Sequence, residues 1–205
     1  MDYSSVHKNT YDELAEEYET RVNALTPITE DAMNYFSAHI KPGGSVLDLG
    51  CAVGIAINIL GKKGFKCTGI EISPKMAEFA KRRNPSANII IDDFLTTNFD
   101  HKFDAVLAFA FIHLFPKEKV VAILEKIKSI LESGRVALIS STESAKSEEG
   151  WEIKEDYDKK VSRFRKFWTE EELAETLDIV GFKKIALKKF TDPFGKVWMD
   201  FMVKN

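Results

Sequence analysis

Cysteine is scarce in this sequence of 205 residues, which contains two, Cys51 and Cys67. One falls in a glycine-rich turn and the other in an apolar segment with β character. This context indicates neither a disulfide framework nor the four-ligand set of a structural zinc site. We therefore expect reduced thiols, no bound metal ion and a cytoplasmic location.

Long apolar runs are also lacking. No stretch approaches the roughly 20 apolar residues that a membrane-spanning helix requires. Residues 1–8 have neither the basic start nor the apolar core of a secretion signal. We therefore expect no association with a membrane.

Neither sign of charge is in large excess. The chain has 29 Lys and Arg against 32 Asp and Glu, a net charge of −3 at pH 7. It therefore has no overall attraction to nucleic acid or to an anionic membrane. Residues 163–168 do alternate basic and aromatic side chains, as nucleic-acid surfaces do. Because this segment is short and flanked by acids, we favour a structural role or contacts to an anionic small substrate. The expected partner is a small molecule rather than a nucleic acid, and the oligomeric state stays open.

A strand, a glycine turn and a helix follow one another at residues 46–60. Val46, Leu47 and Leu49 form a short apolar run with β character that ends at Gly50, and an isoleucine-rich segment begins after Gly54. Glycines in such a turn let the backbone approach a ligand, and a helix start offers unpaired N–H groups to a negative group. This pattern predicts a ligand-binding corner.

An acidic residue follows this corner at the sequence spacing that is typical of nucleotide-binding units. Residues 66–70 indicate the next strand, which ends at Glu71. In nucleotide-binding βαβ units, an acid about 20 residues after the glycine turn holds the ribose hydroxyls. The sequence therefore predicts a nucleoside-bearing cofactor.

The rest of the chain continues the alternation of strands and helices. From residue 45 onward this alternation predicts right-handed crossovers and a parallel sheet. At the C-terminus, the short link at residues 192–195 permits only an antiparallel pair of strands. The further expectations are a capping box at Thr10, a second helix from Thr26-Pro27 to about His39, and a helix that Gly134 stops.

The order of these segments resembles the class I S-adenosylmethionine-dependent methyltransferases over nearly the whole chain. The resemblance implies one α/β domain over residues 1–205, with a three-layer, doubly wound, Rossmann-like sheet of seven strands and an antiparallel C-terminal hairpin. It also implies methyl transfer to a small molecule by in-line displacement. Six motifs carry the resemblance: residues 11–18, 46–54, 71–73, 91–94, 103–108 and 130–139.

The resemblance assigns residues to the cofactor S-adenosylmethionine. Glu71 would accept hydrogen bonds from the ribose. Asp93 would face the adenine amine, although a shift of one residue would give this role to Asp92. Asp48 would orient the glycine turn, and Tyr11 would either lie near the methionine end or only pack its helix on the sheet. The other residues assigned to the cofactor are Gly50, Cys51, Ala52, Ile72, Met76, Phe94 and Ala108.

Ala52 departs from the family pattern, because it stands where the family has the middle glycine of Gly-x-Gly-x-Gly. The residue must therefore keep a backbone conformation allowed to an L-amino acid. The extra methyl group also leaves slightly less freedom for a ligand to approach.

Two further features have two interpretations each. His113 is the candidate general base, or it only bonds a backbone group. Residues 1–40 would cover the cofactor, and residues 141–168, which include Tyr157, form either a lid over the substrate or a solvated surface helix. The alternative functions are an NAD-dependent oxidoreductase, for which no Tyr-x-x-x-Lys pair is evident, and a noncatalytic nucleoside-binding or regulatory module.

Overall fold

Strands and helices alternate along the chain, as the apolar pattern predicts. The computed structural model describes residues 2–154, 160–192 and 194–205. Tyr157 of the expected lid and Pro193 of the expected hairpin link lie outside the described residues. The helices are α1 (Tyr3–Thr20), α2 (Val22–Ser37), α3 (Ile55–Lys62), α4 (Pro74–Arg83), α5 (Lys117–Ile130) and α6 (Glu170–Ile179).

The strands of the main sheet are β1 (Ser45–Leu49), β2 (Lys66–Glu71), β3 (Asn88–Ile91), β4 (Phe103–Phe109), β5 (Leu131–Thr142), β8 (Lys183–Thr191) and β9 (Val197–Lys204). Over the described residues, these seven strands lie in the order β3-β2-β1-β4-β5-β9-β8. The strands from β3 to β5 are parallel, and β9 runs antiparallel to both β5 and β8. The predicted fold class is therefore confirmed.

Helices cover both faces of this sheet. Because successive side chains of a strand point to opposite faces, Val46 joins an apolar cluster with Phe36 of α2 and Leu60 of α3. Its neighbour Leu47 joins the opposite cluster, which contains residues of α5 and α6. Burying one such aliphatic side chain contributes about 1.5–3 kcal/mol. The two clusters together hold the carboxyl ends of the parallel strands in fixed positions.

Two predicted helix starts are wrong. Asp2 caps α1 by accepting hydrogen bonds from the backbone N–H groups of Ser4 and Ser5, so Thr10 lies inside that helix and not at its start. The Thr10 hydroxyl instead donates to the carbonyl of Ser162, at 2.8 Å. Helix α2 begins at Val22, and it contains Pro27 at the cost of one backbone hydrogen bond.

The end of α5 also differs from the expectation. The helix ends at Ile130, and β5 starts at once with Leu131 paired to Phe103. The register between β4 and β5 then shifts before Ala105 pairs with Val136. Gly134, with φ 72°, lies in this irregular stretch, so its left-handed conformation serves the strand and not a helix end.

The described residues 141–154 and 160–168 form no surface helix, so that alternative is wrong for them. They contain a separate antiparallel ribbon of two strands, β6 (Glu148–Lys154) and β7 (Val161–Phe167). A bridge between Glu143 and Trp168 joins the ends of this excursion. Over the described residues, no helix is long and apolar enough to cross a membrane.

Candidate active site

The turn after β1 requires glycine at two positions. Gly50 has φ 63°, and a Cβ atom there would lie 2.9 Å from the Phe111 ring. Gly54 has φ 79°, and its Cβ would lie 2.5 Å from Asn84 Nδ2. Both positions combine a left-handed backbone with close packing, so a side chain would be strained for two reasons. The predicted sharp corner is present between β1 and α3.

Ala52, at the centre of this turn, also has a left-handed backbone, with φ 47°. This region is open to L-residues but costs more than the right-handed region. The Ala52 N–H donates to Glu71 Oε2 at 2.9 Å. This hydrogen bond connects the turn after β1 to the end of β2.

Glu71 is buried at the end of β2 and accepts two backbone hydrogen bonds. Oε2 accepts from Ala52, and Oε1 accepts from the N–H of Ser73 at 2.9 Å. Burial raises the pKa of this carboxyl, while the backbone N–H donors act in the opposite direction. The Ser73 hydroxyl donates to Asp12, which ties α1 to this end of the sheet.

A cavity of about 610 Å³ opens above the carboxyl ends of the parallel strands. Its volume lies within the range of about 300–1,000 Å³ that small-molecule sites occupy. Most of the residues predicted to bind the cofactor line it together: Tyr11, Asp48, Gly50, Cys51, Ala52, Glu71, Ile72, Met76, Asp93 and Phe94. Sequence motifs that are distant along the chain therefore meet at one site.

The acids of this cavity differ in their surroundings. Asp48 is buried, and burial followed by the nearby charge of Glu71 raises its pKa well above the usual value. Asp93 Oδ1 accepts a hydrogen bond from the N–H of Leu95 at 2.8 Å. Asp92 also lines the cavity, so the predicted role of an acid facing the adenine amine still has two candidates.

Both cysteines are free thiols. Burial raises the pKa of Cys51 well above its usual value and that of Cys67 to about 12. Because the thiolate is the reactive form, neither side chain is an activated nucleophile near pH 7.

Two predicted residues do not line the cavity over the described chain. Ala108 is buried one residue before Phe109, which does line it. His113 is buried in a short 3-10 turn, with its ring centre 6.2 Å from that of Trp198. The cavity is lined instead by Phe111, two residues before His113, and by Leu114, the residue after it.

The histidine that lines the cavity is His7, which the sequence analysis did not select. Its Nε2 lies 2.7 Å from the carbonyl oxygen of Leu114. A carbonyl only accepts hydrogen bonds, so Nε2 carries the proton and Nδ1 is left with a lone pair. Nδ1 is buried and has no hydrogen-bond partner. Burial lowers the pKa of His7, and the charge of Arg163 lowers it further, against the effect of the Leu114 carbonyl.

Arg163 and Arg165 of β7 also line the cavity. The prediction for their segment was a structural role or contacts to an anionic small substrate, without a connection to the cofactor site. Arg163 pairs with Glu152, with Nη2 and Nε at 2.7 and 2.8 Å from Oε1. The two-residue spacing on a strand was the signal that placed both side chains on one face.

A family model described as a methyltransferase domain matches residues 16–187. The chain belongs to the methyltransferase-domain family. An uncharacterised methyltransferase of Alkaliphilus oremlandii is 28% identical to this methyltransferase-domain protein over 131 residues, which are 63% of the chain and 56% of the relative. The chain thus spans about half the length of that relative.

Solved structures resemble this methyltransferase-domain protein over nearly its whole length. One is the 1,6-didemethyltoxoflavin-N1-methyltransferase of Burkholderia thailandensis with bound 1,6-didemethyltoxoflavin and S-adenosylhomocysteine. Its TM-score is 0.80 at 18% identity, covering 99% of this chain and 88% of that one. Another is the magnesium protoporphyrin IX methyltransferase of Synechocystis with bound S-adenosylmethionine. Its TM-score is 0.77 at 15% identity, covering 100% and 98% of the two chains. At these identities the likeness establishes a shared fold.

Proposed function

We propose that this methyltransferase-domain protein transfers a methyl group from S-adenosylmethionine to a small-molecule acceptor. The observation that carries the proposal is the meeting of Glu71 and the turn at residues 50–54 in one cavity. The order of the strands reverses between β1 and β4, and ligands of open α/β sheets bind at such a switch point.

The residues at this end of the cavity suit S-adenosylmethionine. A carboxylate has about four acceptor positions, and the backbone of Ala52 and Ser73 occupies two of those on Glu71. The remaining positions would accept the ribose hydroxyls, while Ile72 and Met76 offer apolar contact to adenine. When bound, the cofactor would supply an electrophilic methyl carbon and a neutral leaving group. The main task of the protein is then to hold the acceptor in line, which contributes a large part of the rate in well-oriented reactions.

A general base is needed only where the acceptor must lose a proton. We assign this role to Nδ1 of His7, because the Leu114 hydrogen bond leaves this nitrogen with a free lone pair and its ring lines the cavity. The lowered pKa keeps this ring neutral near pH 7 and ready to accept a proton. His113 stays the candidate that the sequence predicts.

Helices α1 and α2, within residues 1–40, would cover the cofactor, and the ribbon of β6 and β7 would act as the lid over the substrate. The contributions of Tyr11 and Arg163 to the cavity lining support this arrangement. A small molecule fits such a site better than a nucleic-acid chain does. We also place the protein in the cytoplasm, which its two free thiols support.

Calorimetric titration with S-adenosylmethionine and with NAD tests the cofactor. We expect binding of the former alone, and tighter binding of NAD would refute the proposal. Replacing Glu71 by alanine would leave the N–H groups of both Ala52 and Ser73 without their acceptors. Glu71→Gln keeps one of the two acceptor oxygens and is therefore the milder variant. It is expected to weaken binding about 10- to 100-fold, since hydrogen bonds to a charged group contribute about 1.5–3 kcal/mol. Glu78→Gln, on the exposed surface of α4, is the matched control.

A noncatalytic module would bind the same cofactor without turnover. Screening small-molecule pools for transfer of a labelled methyl group separates the two functions. A protein that binds S-adenosylmethionine tightly but methylates nothing in broad pools would favour the noncatalytic alternative.

A further inference from the structure

Two guanidinium groups of β7 face the same cavity from the side of the ribbon. Arg163 and Arg165 are two residues apart on a strand, so their side chains share one face. Both are buried, with 9% and 7% of their surface exposed, and both line the cavity. Two buried positive charges therefore border the space in which an acceptor would lie.

Only one of these charges has an acidic partner in the described part of the chain. Arg163 pairs with Glu152, as described above. Arg165 donates to the hydroxyl of Thr142 through Nη2 at 2.5 Å, and no carboxylate of the described residues forms an ion pair with it. Burial, followed by repulsion from Arg163, lowers the pKa of Arg165 to about 10. A buried charge without a counter-charge is costly, and an anionic ligand would offset that cost.

The acids that line the cavity do not neutralise Arg165. Asp192 is the acid at the C-terminal hairpin, and its carboxylate accepts from the N–H groups of Phe194 and Lys196 and from Trp198 Nε1. Asp48, Glu71, Asp92 and Asp93 lie at the ends of β1 to β3 instead. Among the described residues, the charge of Glu152 acts on Arg165 without forming an ion pair with it, so the guanidinium group remains open to a ligand.

Arg165 lies on the side of the cavity where the methyl acceptor would bind, and not where the nucleoside would bind. Thr142, its partner, is at the end of β5, and Glu71 is at the end of β2. Three strand spacings separate β2 from β5 in the sheet, or about 14 Å at roughly 4.8 Å each. Trp198 lies opposite Thr142 in the β5–β9 register and stacks on Phe109, with ring centres 5.6 Å apart. Both rings line the cavity, so apolar surface borders the same part of the cavity as the guanidinium group of Arg165.

We propose that Arg165, with Arg163 beside it, binds an oxyanion of the methyl acceptor, so that the acceptors are small carboxylates or phosphate esters with an aromatic or apolar body. This inference rests on the proposed methyltransferase function. It names a specificity-determining residue and a substrate class for that reaction.

Calorimetry on the full chain saturated with S-adenosylhomocysteine tests the inference, with benzoate, phenyl phosphate and the neutral benzyl alcohol as probes. We expect at least one anion to bind about tenfold or more tightly than benzyl alcohol, since a charge-assisted hydrogen bond contributes at least that much. The preferred anion separates a carboxylate site from a phosphate site. Arg165→Met is expected to abolish the preference, and Arg165→Lys to retain part of it. Arg82→Met, which removes an exposed charge on α4, is expected to leave the preference unchanged.

Three results would overturn the inference. Equal binding of anions and benzyl alcohol to the wild type would show that no oxyanion site exists. A loss of S-adenosylhomocysteine affinity in Arg165→Met, with the anion preference intact, would assign Arg165 to the carboxylate of the cofactor. Failure of the wild type to bind S-adenosylhomocysteine would refute the proposed function and this inference with it, whereas cofactor binding without anion preference refutes the inference alone. If Arg165→Met does not fold, the comparison of probes on the wild type and on Arg165→Lys still decides.

Discussion

Replacing Ala52 by glycine is expected to leave the protein as stable as the wild type or slightly more stable, although glycine usually destabilises a folded chain. Ala52 is held at φ 47° in the turn between β1 and α3. Its N–H is fixed by Glu71, so the residue cannot relax to a right-handed conformation without breaking that hydrogen bond. Glycine adopts the same conformation without the steric conflict of a Cβ atom.

The magnitude follows from three terms. A left-handed conformation costs an L-residue about 1–2 kcal/mol, and glycine removes this cost. Against this, glycine loses about 0.5–1 kcal/mol more in backbone entropy on folding than alanine does. Loss of the half-buried methyl group costs about 0.4 kcal/mol, half of the value for full burial. The sum lies between a destabilisation of about 0.4 kcal/mol and a stabilisation of about 1.1 kcal/mol, with a slight stabilisation at its centre.

Thermal unfolding of matched variants measures this effect. Ala110→Gly is the parallel case, since Ala110 has φ 58°. Ala122→Gly is the control, because Ala122 is exposed within the regular helix α5 and glycine there costs about 1 kcal/mol. In a chain of this size, 1 kcal/mol corresponds to a shift of roughly 2–4 °C in Tm. We expect a lower Tm for the control by that amount and an unchanged or higher Tm for Ala52→Gly and Ala110→Gly.

An equal fall in Tm for Ala52→Gly and Ala122→Gly would refute the reasoning. The entropy cost of glycine is common to both variants, so their difference isolates the backbone strain at residue 52. Without such a difference, the left-handed turn would not be under strain.

Two further outcomes are expected. With an acceptor that must lose a proton, His7→Asn should lower kcat about 10²- to 10⁴-fold without changing the affinity for S-adenosylhomocysteine. His113→Asn should instead act mainly on stability. A loss of kcat in His113→Asn and not in His7→Asn would favour His113 as the base. Burial raises the pKa of Asp200 from 3.8 to about 6, against the hydrogen bond from Ser140, so the folded state keeps its proton longer than the unfolded state does. The contribution of Asp200 to stability is then fully present below about pH 4 and falls by about 3 kcal/mol as the pH rises through about 6. Unfolding curves at pH 4.5 and 7.5 should show about 2 kcal/mol of this loss as the difference between wild type and Asp200→Asn, and an equal pH dependence of both proteins would contradict the assigned pKa.

The strand ends at the cofactor side of the cavity were predictable from the sequence, because a short local pattern of residues marks each of them. A buried apolar run followed by a glycine or an acid is readable within about ten residues, as at Gly50 and Glu71. Parallel strands then bring these ends to one edge of the sheet. For the same reason the sequence predicted most of the residues that line the cofactor side.

The positions of His7, Arg163 and Arg165 were not predictable in this way. The capping box at Thr10 placed the start of α1 after His7, whereas the side chain of Asp2 starts the helix earlier. The two arginines lie on a ribbon whose strand character did not stand out from a charged, irregular segment. Their arrival at the cavity depends on how β7 packs against α1 and the turn that contains His113.

The sequence alone determined the order of the elements of the main sheet, the reversed C-terminal strand and the acids at the ends of the parallel strands. These features depend on apolar periodicity and on link length, which act between residues close in the chain. Only the tertiary structure decided which side chains of α1 and β7 turn into the cavity, and hence where a proton acceptor and a positive charge lie. Such contacts join residues more than 100 positions apart, as from His7 to Leu114 and from Thr10 to Ser162, and they follow from the packing of whole elements and not from any local pattern.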